Sequence, residues 1–274
     1  MIGIVYHTDR DHHIRSTWGI SSVGRAPALQ AGCQEFESPI LHRASCPKYT
    51  SIDSIMKLFL DTADTEQIAR HFNTGLIDGV TTNPTLILKS GRDPDEVYAE
   101  LEKLGVKDIS MEVSGNWTEM LEEGRRLRNK FGEVATIKVP CTPDGLTACR
   151  YLSQSDTRVN VTLIFSAAQA ILAAKAGATY VSPFVGRCDD NSVAGVEVVR
   201  SIAELYRVHG VQTKVLAASI RDVYKVTRSF YNGADIVTMP PTVFEKMYGH
   251  VLTREGLEIF ERDLALSQTQ QGDL

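Results

Sequence analysis

The sequence predicts a single (β/α)8 (TIM) barrel with a C-terminal helix, preceded over residues 1–55 by a disordered or artefactual extension. Three observations carry that prediction. Eight short apolar runs rich in branched residues recur after Met56, each followed by sequence of helix length. The runs are continuously apolar rather than alternating, as strands of a parallel sheet buried on both faces must be. The character of the chain also changes sharply at Met56.

The expected strands are Lys57–Leu60, Gly79–Thr82, Ile109–Val113, Val134–Val139, Val159–Ile164, Thr179–Val181, Lys214–Ala217 and Asp235–Thr238. Helix starts are signalled between them. Asp64 with Gln67, and Ser166 with Gln169, have the spacing of capping boxes, in which side chains satisfy orphan backbone N–H groups. Asp93-Pro94 and Thr142-Pro143 each set a cap residue before a proline suited to the first turn.

Residues 1–55 follow none of this logic. They hold His7, His12, His13 and His42, four of the seven histidines, and show no sustained period of 2 or 3.6. The stretch from Ser21 to His42 resembles the conceptual translation of a transfer-RNA gene. A mitochondrial transit peptide is the alternative, on Arg10, Arg15, Arg25 and Arg43. Asp9, Asp11, Glu35, Glu37 and Asp53 balance those charges, which such peptides avoid. The expected organisation is therefore an unstructured or spurious 1–55 and a catalytic barrel over 56–274.

Composition excludes other classes. The net charge of −5, with no long basic run, offers nothing to nucleic acid or an acidic membrane. No apolar stretch approaches the roughly 20 residues of a membrane-spanning helix. The five cysteines (Cys33, Cys46, Cys141, Cys149, Cys188) form no CxxC pair and no spacing with histidine that suits zinc. They read as reduced thiols of a cytoplasmic protein, Cys188 beside Arg187 being either a reactive thiol or a bystander. No metal and no cofactor are expected, and no nucleotide-binding loop is present.

Polar residues collect where an α/β barrel builds its active site, at the carboxyl ends of the strands. These are Asp61, then Thr81, Thr82 and Asn83, then Glu112, Lys138, Asn160, Thr162, Ser182, Arg187, Ser219 and Arg221. Lys138 lies in the apolar run Val134-Ala-Thr-Ile-Lys138-Val-Pro140. Burial there favours the neutral amine, a nucleophile toward carbonyls. The competing reading is a lysine that snorkels out of the strand or pairs with a carboxylate. Lys214 opens its strand, so a solvated position is expected for it.

Glu112 suits a general acid/base, or else a salt-bridge partner for a lysine. Asp61 taken alone reads as a helix cap. Together with Lys138 the two carboxylates describe a basin suited to imine chemistry. Arg187 and the Ser219-Ile220-Arg221 turn suggest an anion site assisted by N–H groups at a helix start, against the alternative of surface arginines.

Six ordered motifs resemble the transaldolase family and, most closely, its short bacterial members, a group that includes fructose-6-phosphate aldolases. They are Leu58-Phe-Leu-Asp61-Thr-Ala-Asp, Gly79-Val-Thr-Thr-Asn83-Pro-Thr, Ile137-Lys138-Val-Pro, Asn160-Val-Thr162-Leu-Ile-Phe-Ser-Ala-Ala-Gln169, Tyr180-Val-Ser182-Pro-Phe184-Val-Gly-Arg187 and Ala217-Ala-Ser219-Ile-Arg221. The resemblance runs from Met56 to about Gln268. It implies a Schiff base between Lys138 and a ketose phosphate, with Asp61, Glu112 and Thr162 handling protons and a catalytic water. It further implies that Thr81, Asn83, Asn160, Ser182 and Phe184 bind substrate, and that Arg187, Ser219 and Arg221 bind its phosphate.

Transfer of a dihydroxyacetone unit between sugar phosphates, in the pentose phosphate pathway, is the implied activity. The aldolases of the group carry glutamine at the position of Glu112 and tyrosine at that of Phe184, so both positions here take the transferase form. A fructose-6-phosphate aldolase releasing free dihydroxyacetone is the alternative. The resemblance also implies a decameric homo-oligomer, with the helix expected over Thr253–Leu266 reaching a neighbour. An isomerase using carboxylates alone, and a non-enzymatic sugar-phosphate binder, are the readings from other classes.

Overall fold

The computed structural model describes residues 56–272, with side chains described as far as Ser267. The expectations for residues 1–55, and Cys33 and Cys46, lie outside the described residues.

The first half of the barrel is built from β1 (Lys57–Asp61), α1 (Thr65–Phe72), β2 (Gly79–Thr81), α2 (Pro84–Ser90), α3 (Pro94–Lys103), β3 (Ile109–Glu112), α4 (Trp117–Phe131), β4 (Ala135–Pro140) and α5 (Pro143–Ser153). The second half continues through β5 (Arg158–Ile164), α6 (Ala167–Lys175), β6 (Tyr180–Pro183), α7 (Val185–Asp190), α8 (Gly195–His209) and β7 (Lys214–Ala217). It ends in α9 (Val223–Tyr231), β8 (Ile236–Met239), α10 (Pro241–Lys246) and α11 (Val251–Gly272).

All eight expected runs are strands; Lys214–Ala217 is matched at both ends, and the other seven have an end displaced by one or two residues. Each pairs in parallel with its sequence neighbours, and β1 also pairs with β8, closing the barrel. The short helices α2, α7 and α10 add to the simple strand–helix alternation. α2 and α7 stand directly after β2 and β6, at the carboxyl ends of those strands.

Strand residues alternate between two environments. On β4, Ala135, Ile137 and Val139 belong to the apolar layer beneath the helices, where Ile137 and Leu152 approach Gly124 of α4 closely. Thr136 and Lys138 take the other face, into the barrel. There Phe59, Tyr180, Leu216, Ala218 and Ile236 form a small apolar cluster of their own. The rest of the interior is polar, with Ser110, Thr136, Asn160, Thr162, Ser182 and Thr238 all buried. Branched apolar residues ordinarily fill a barrel of this kind, so this polar lining marks where chemistry displaces packing. Gly79 is required by the wall itself: a Cβ there would lie 2.6 Å from the Phe59 ring and 2.7 Å from the Asp108 carbonyl.

The caps refine the expectations. Asp64, Asp93, Thr142 and Ser166 all cap their helices as anticipated. Neither expected capping box closes in the reciprocal way, however. Gln67 donates its amide to the Asp64 carboxylate, and the Gln169 oxygen accepts from the Phe165 N–H rather than from the Ser166 N–H. The reciprocal box is formed by Asn116 and Glu119 at the start of α4.

Lys214 is exposed and pairs with Asp235 at 3.3 Å, as a strand-opening lysine should. Cys188 is buried, and burial raises its thiol above the ordinary range, which weighs against a reactive thiolate. No described helix is long and apolar enough to cross a membrane.

Candidate active site

Ten predicted residues converge on one cavity of about 120 Å³ at the carboxyl ends of the strands. Asp61, Thr81, Asn83, Lys138, Asn160 and Thr162 form its floor and near wall, while Ser182, Phe184, Arg187 and Ser219 close the far side. Larger clefts, of about 830 and 550 Å³, lie at the opposite end around Thr213 and Lys214. The ion pair that lines them, Lys214 with Asp235, is solvated, whereas the small cavity holds a buried cation.

Lys138 is that cation. Its residue is 5% exposed, and its Nζ donates to the Thr82 carbonyl at 2.5 Å and lies 2.9 Å from Glu112 Oε2. The contact follows from register, because Glu112 on β3 and Lys138 on β4 are direct partners in the ladder. A snorkelling lysine is therefore not what the strand contains. Well-packed apolar residues would usually stabilise such a site at least as well as a buried ion pair, so the pair points to chemistry rather than to stability.

Asp61 completes the basin from β1. It accepts from Thr81 Oγ1 at 2.8 Å, and Thr81 in turn meets Thr238 Oγ1 at 2.7 Å. With the Thr81 proton committed to Asp61, Thr238 is the donor of that second bond. Burial pushes the Asp61 carboxyl above its ordinary range, against the pull of Lys138 and Thr81, and Glu112 adds to the rise. Asp61 therefore holds its proton more readily than a free carboxyl. It does not cap α1, a role taken by Asp64.

On β5, Asn160 and Thr162 are two residues apart and face the interior together. Asn160 accepts from Ser182 Oγ at 2.7 Å and donates to Ser110 Oγ at 3.3 Å, fixing its amide. Thr162 Oγ1 is buried and has no hydrogen-bond partner among the described residues. Buried hydroxyls nearly always have a partner, so this one is a natural contact for water or substrate. Immediately after it, Leu163 has φ +59° and the β5–β6 register shifts between Val161 and Ile164. A leucine seldom adopts that left-handed conformation, and here it accompanies the bulge at the cavity rim.

Phe184, Arg187 and Ser219 form the outer lip. The Arg187 guanidinium lies 4.9 Å from the centre of the Phe184 ring, which also meets Phe165 edge-on at 5.9 Å. Ser219 has φ +57°, and its carbonyl accepts from the Gly186 N–H at 3.0 Å, tying the lip of β7 to that of β6.

Two predicted residues stand apart from the cavity. Glu112 reaches Lys138 but borders a separate groove between α2, α3 and α4. Arg221 is held by both oxygens of Asp190 in a two-pronged ion pair. At the helix after β7, Asp222 caps α9 and takes the Lys225 amide. Sequence reasoning missed Thr238, Leu216 and Ala218 in the lining. A threonine amid the apolar Ile236–Met239 strand was the one available signal for Thr238.

The chain is similar to known proteins over the whole of the barrel. The model of the Transaldolase/Fructose-6-phosphate aldolase family matches residues 58–272. A "Probable transaldolase" of Paracoccus denitrificans (strain Pd 1222) is 51% identical over 211 residues, covering 77% of this chain and 97% of the relative. The corresponding protein of Caulobacter vibrioides (strain NA1000 / CB15N) is 48% identical over the same shares. That of Nitrosopumilus maritimus (strain SCM1) is 44% identical over 221 residues, covering 80% and 99%.

Among solved structures, a doubly substituted flavocytochrome b2 with sulfite bound matches with a TM-score of 0.51 at 14% identity, over 79% of this chain. The match covers 64% of that protein's length, and the likeness is one of barrel fold alone. A matched family model across the whole barrel and three relatives covered almost end to end leave a plain conclusion: the chain belongs to the transaldolase/fructose-6-phosphate aldolase family.

Proposed function

We propose that this chain is a transaldolase, moving a dihydroxyacetone unit from a ketose phosphate such as fructose 6-phosphate or sedoheptulose 7-phosphate to an aldose phosphate. One observation carries the reading: a buried lysine flanked by two carboxylates at the base of a polar barrel cavity. Lys138 attacks the C2 carbonyl, and loss of water leaves a protonated imine. That imine is the electron sink when the C3–C4 bond breaks, so the retained three-carbon unit becomes an enamine. The enamine adds to the acceptor aldehyde, and hydrolysis of the new imine frees the product.

Glu112 and Asp61 move the protons. Glu112 touches the reacting nitrogen, and the Asp61 carboxyl, raised by burial, holds a proton more readily than a free carboxyl and so suits a group that gives and retakes one. Thr162 offers its unpartnered hydroxyl to a water. Asn83, Asn160 and Ser182 bind substrate hydroxyls, and Thr81 orients Asp61. Arg187 and Ser219 take the phosphate, with Arg221 joining by sharing its guanidinium with Asp190. Glu112 and Phe184 favour the transferase over the aldolase.

The reading places the enzyme in the cytoplasm, consistent with free thiols at Cys141, Cys149 and Cys188. The catalytic unit runs over 56–274, and residues 1–55 are dispensable for it. A homo-oligomer, decameric as the family suggests, is supported by α11, whose Leu252, Leu257, Phe260 and Leu264 are exposed. Light scattering on the purified protein gives its mass directly.

The deciding experiment measures glyceraldehyde 3-phosphate release from fructose 6-phosphate with and without erythrose 4-phosphate. Release that depends on the acceptor is expected. Equal release without acceptor would instead establish the aldolase, and no release from folded protein would remove both.

A further inference from the structure

Thr82 is fully buried yet lies outside the cavity lining, and every polar group it owns is engaged. Its carbonyl accepts from Lys138 Nζ at 2.5 Å. Its N–H and its hydroxyl both donate to the Ser110 carbonyl on β3, at 3.1 and 3.0 Å. With the hydroxyl proton so committed, Tyr98 Oη, 3.3 Å away, is the donor to Thr82 Oγ1. Tyr98 comes from α3, in the helical layer, where it is buried and packs edge-on against Phe131 at 5.9 Å. A chain of contacts thus runs from the helices through the barrel wall to the lysine nitrogen.

We propose that Thr82 is a positioning residue for Lys138: its main-chain carbonyl fixes the direction of the lysine N–H, while its hydroxyl and Tyr98 hold that carbonyl in place. The inference rests on the reading of Lys138 as the imine-forming lysine. In that reaction an ammonium and a ketone yield a protonated imine and one water, so a single N–H survives on the nitrogen. Glu112 is drawn into the proton transfers and is a changing partner. The Thr82 carbonyl does not titrate and accepts that N–H in both states. Fixing the N–H fixes the plane of the imine, and with it the alignment of the C3–C4 bond to be broken. Small misplacements of a reacting group cost rate far more than they cost affinity.

The chemistry already assigned to the cavity does not require the Thr82 hydroxyl or Tyr98, so both can be altered without touching a substrate contact. The test compares Thr82→Val, Thr82→Ser and Tyr98→Phe in the full chain, following kcat and KM for fructose 6-phosphate with erythrose 4-phosphate. Borohydride incorporation with fructose 6-phosphate is followed alongside. Thr82→Val is expected to lose kcat roughly tenfold with KM within about twofold, and to trap substrate more slowly in proportion. Thr82→Ser should restore both to within about twofold, and Tyr98→Phe should lose about threefold in kcat.

Wild-type kcat in a folded Thr82→Val protein would overturn the proposal. So would a rise in KM alone, or a loss that Thr82→Ser shares in full, since only the methyl would then matter. If Thr82→Val does not fold, Tyr98→Phe decides: unchanged kcat there rejects the relay and the predicted loss supports it. Absence of incorporation into the wild-type protein would instead remove the imine reading on which the inference stands, which separates the two failures.

Discussion

Glu112 and Lys138 are register partners on adjacent parallel strands, and their side chains meet at 2.9 Å inside the barrel. The pair makes two substitutions informative in different ways. Lys138→Arg keeps the charge but cannot form an imine, so borohydride incorporation and turnover should both vanish while the fold persists. Glu112→Gln keeps the shape and removes the proton carrier, and transfer should fall by about 10²–10⁴-fold. Paired with Phe184→Tyr it takes the form implied for the aldolases, so the remaining product release should lose its dependence on erythrose 4-phosphate. Full acceptor dependence in the double variant would show that other residues set the choice.

Asp61 predicts a trade of stability against activity. Its folded value lies above the ordinary 3.8 because burial outweighs Lys138 and Thr81. The native state therefore binds this proton more tightly than the unfolded chain does. The corresponding stability is fully present below 3.8 and is lost as pH rises through the folded value. Asp61→Asn, which needs no charge, should melt higher than the wild type at pH 7, and a gain of about 1 kcal/mol would appear as about 2–4 °C. The gain should shrink toward pH 4, while turnover falls at every pH. A lower melting point at pH 7 would mean that attraction to Lys138 outweighs burial.

The two arginines at the lip should behave unequally. Arg187 stands over Phe184 and lines the cavity, whereas Arg221 is tied to Asp190. Arg187→Ala should raise KM for fructose 6-phosphate by about tenfold or more, while turnover of unphosphorylated fructose, measured alongside, should match that of the wild type. Arg221→Ala should cost less, because an exposed ion pair must first share its cation. Gly186→Ala is the backbone counterpart. A Cβ there would lie 2.3 Å from the Ser219 carbonyl and 2.8 Å from Arg221 Nε. It should damage phosphate recognition while borohydride incorporation with unphosphorylated substrate survives.

The strands were legible because parallel strands under helices must be apolar throughout, and Lys138 and Glu112 stood out as exceptions to that rule. Side-chain direction was not legible. Nothing in Ala217–Arg221 distinguishes Ser219, which enters the cavity, from Arg221, which turns to Asp190 on the preceding lip. Thr82 illustrates the same limit. It reads as one of two adjacent threonines, and alternation across the strand decides that Thr81 faces Asp61 while Thr82 faces Ser110 and Tyr98. The Asn116–Glu119 capping box was missed because asparagine is a less familiar opening for that motif than serine or threonine.

The end of the barrel away from the cavity carries a second buried network, centred on Asp108, and it should be purely structural. Asp108 accepts from Thr136 at 2.7 Å, from Tyr180 at 2.6 Å and from Arg158 at 2.8 Å, joining β4, β5 and β6 at their amino ends. Burial, then the Asp108 carboxylate, pushes the Tyr180 phenol well above its ordinary range, so it stays a donor at any working pH. Asp108→Ala would leave a half-buried guanidinium, a phenol and a hydroxyl without their common acceptor, a loss of about 3 kcal/mol or more. The melting point should drop by about 6–12 °C. Because the amino end of such a barrel serves stability rather than chemistry, kcat and KM at 25 °C should stay within about twofold of the wild type. A variant that keeps its melting point would show that water can replace the carboxylate. One that stays folded but loses kcat would show that the two ends of the barrel are coupled through β4 and β5, the strands that carry Lys138 and Thr162.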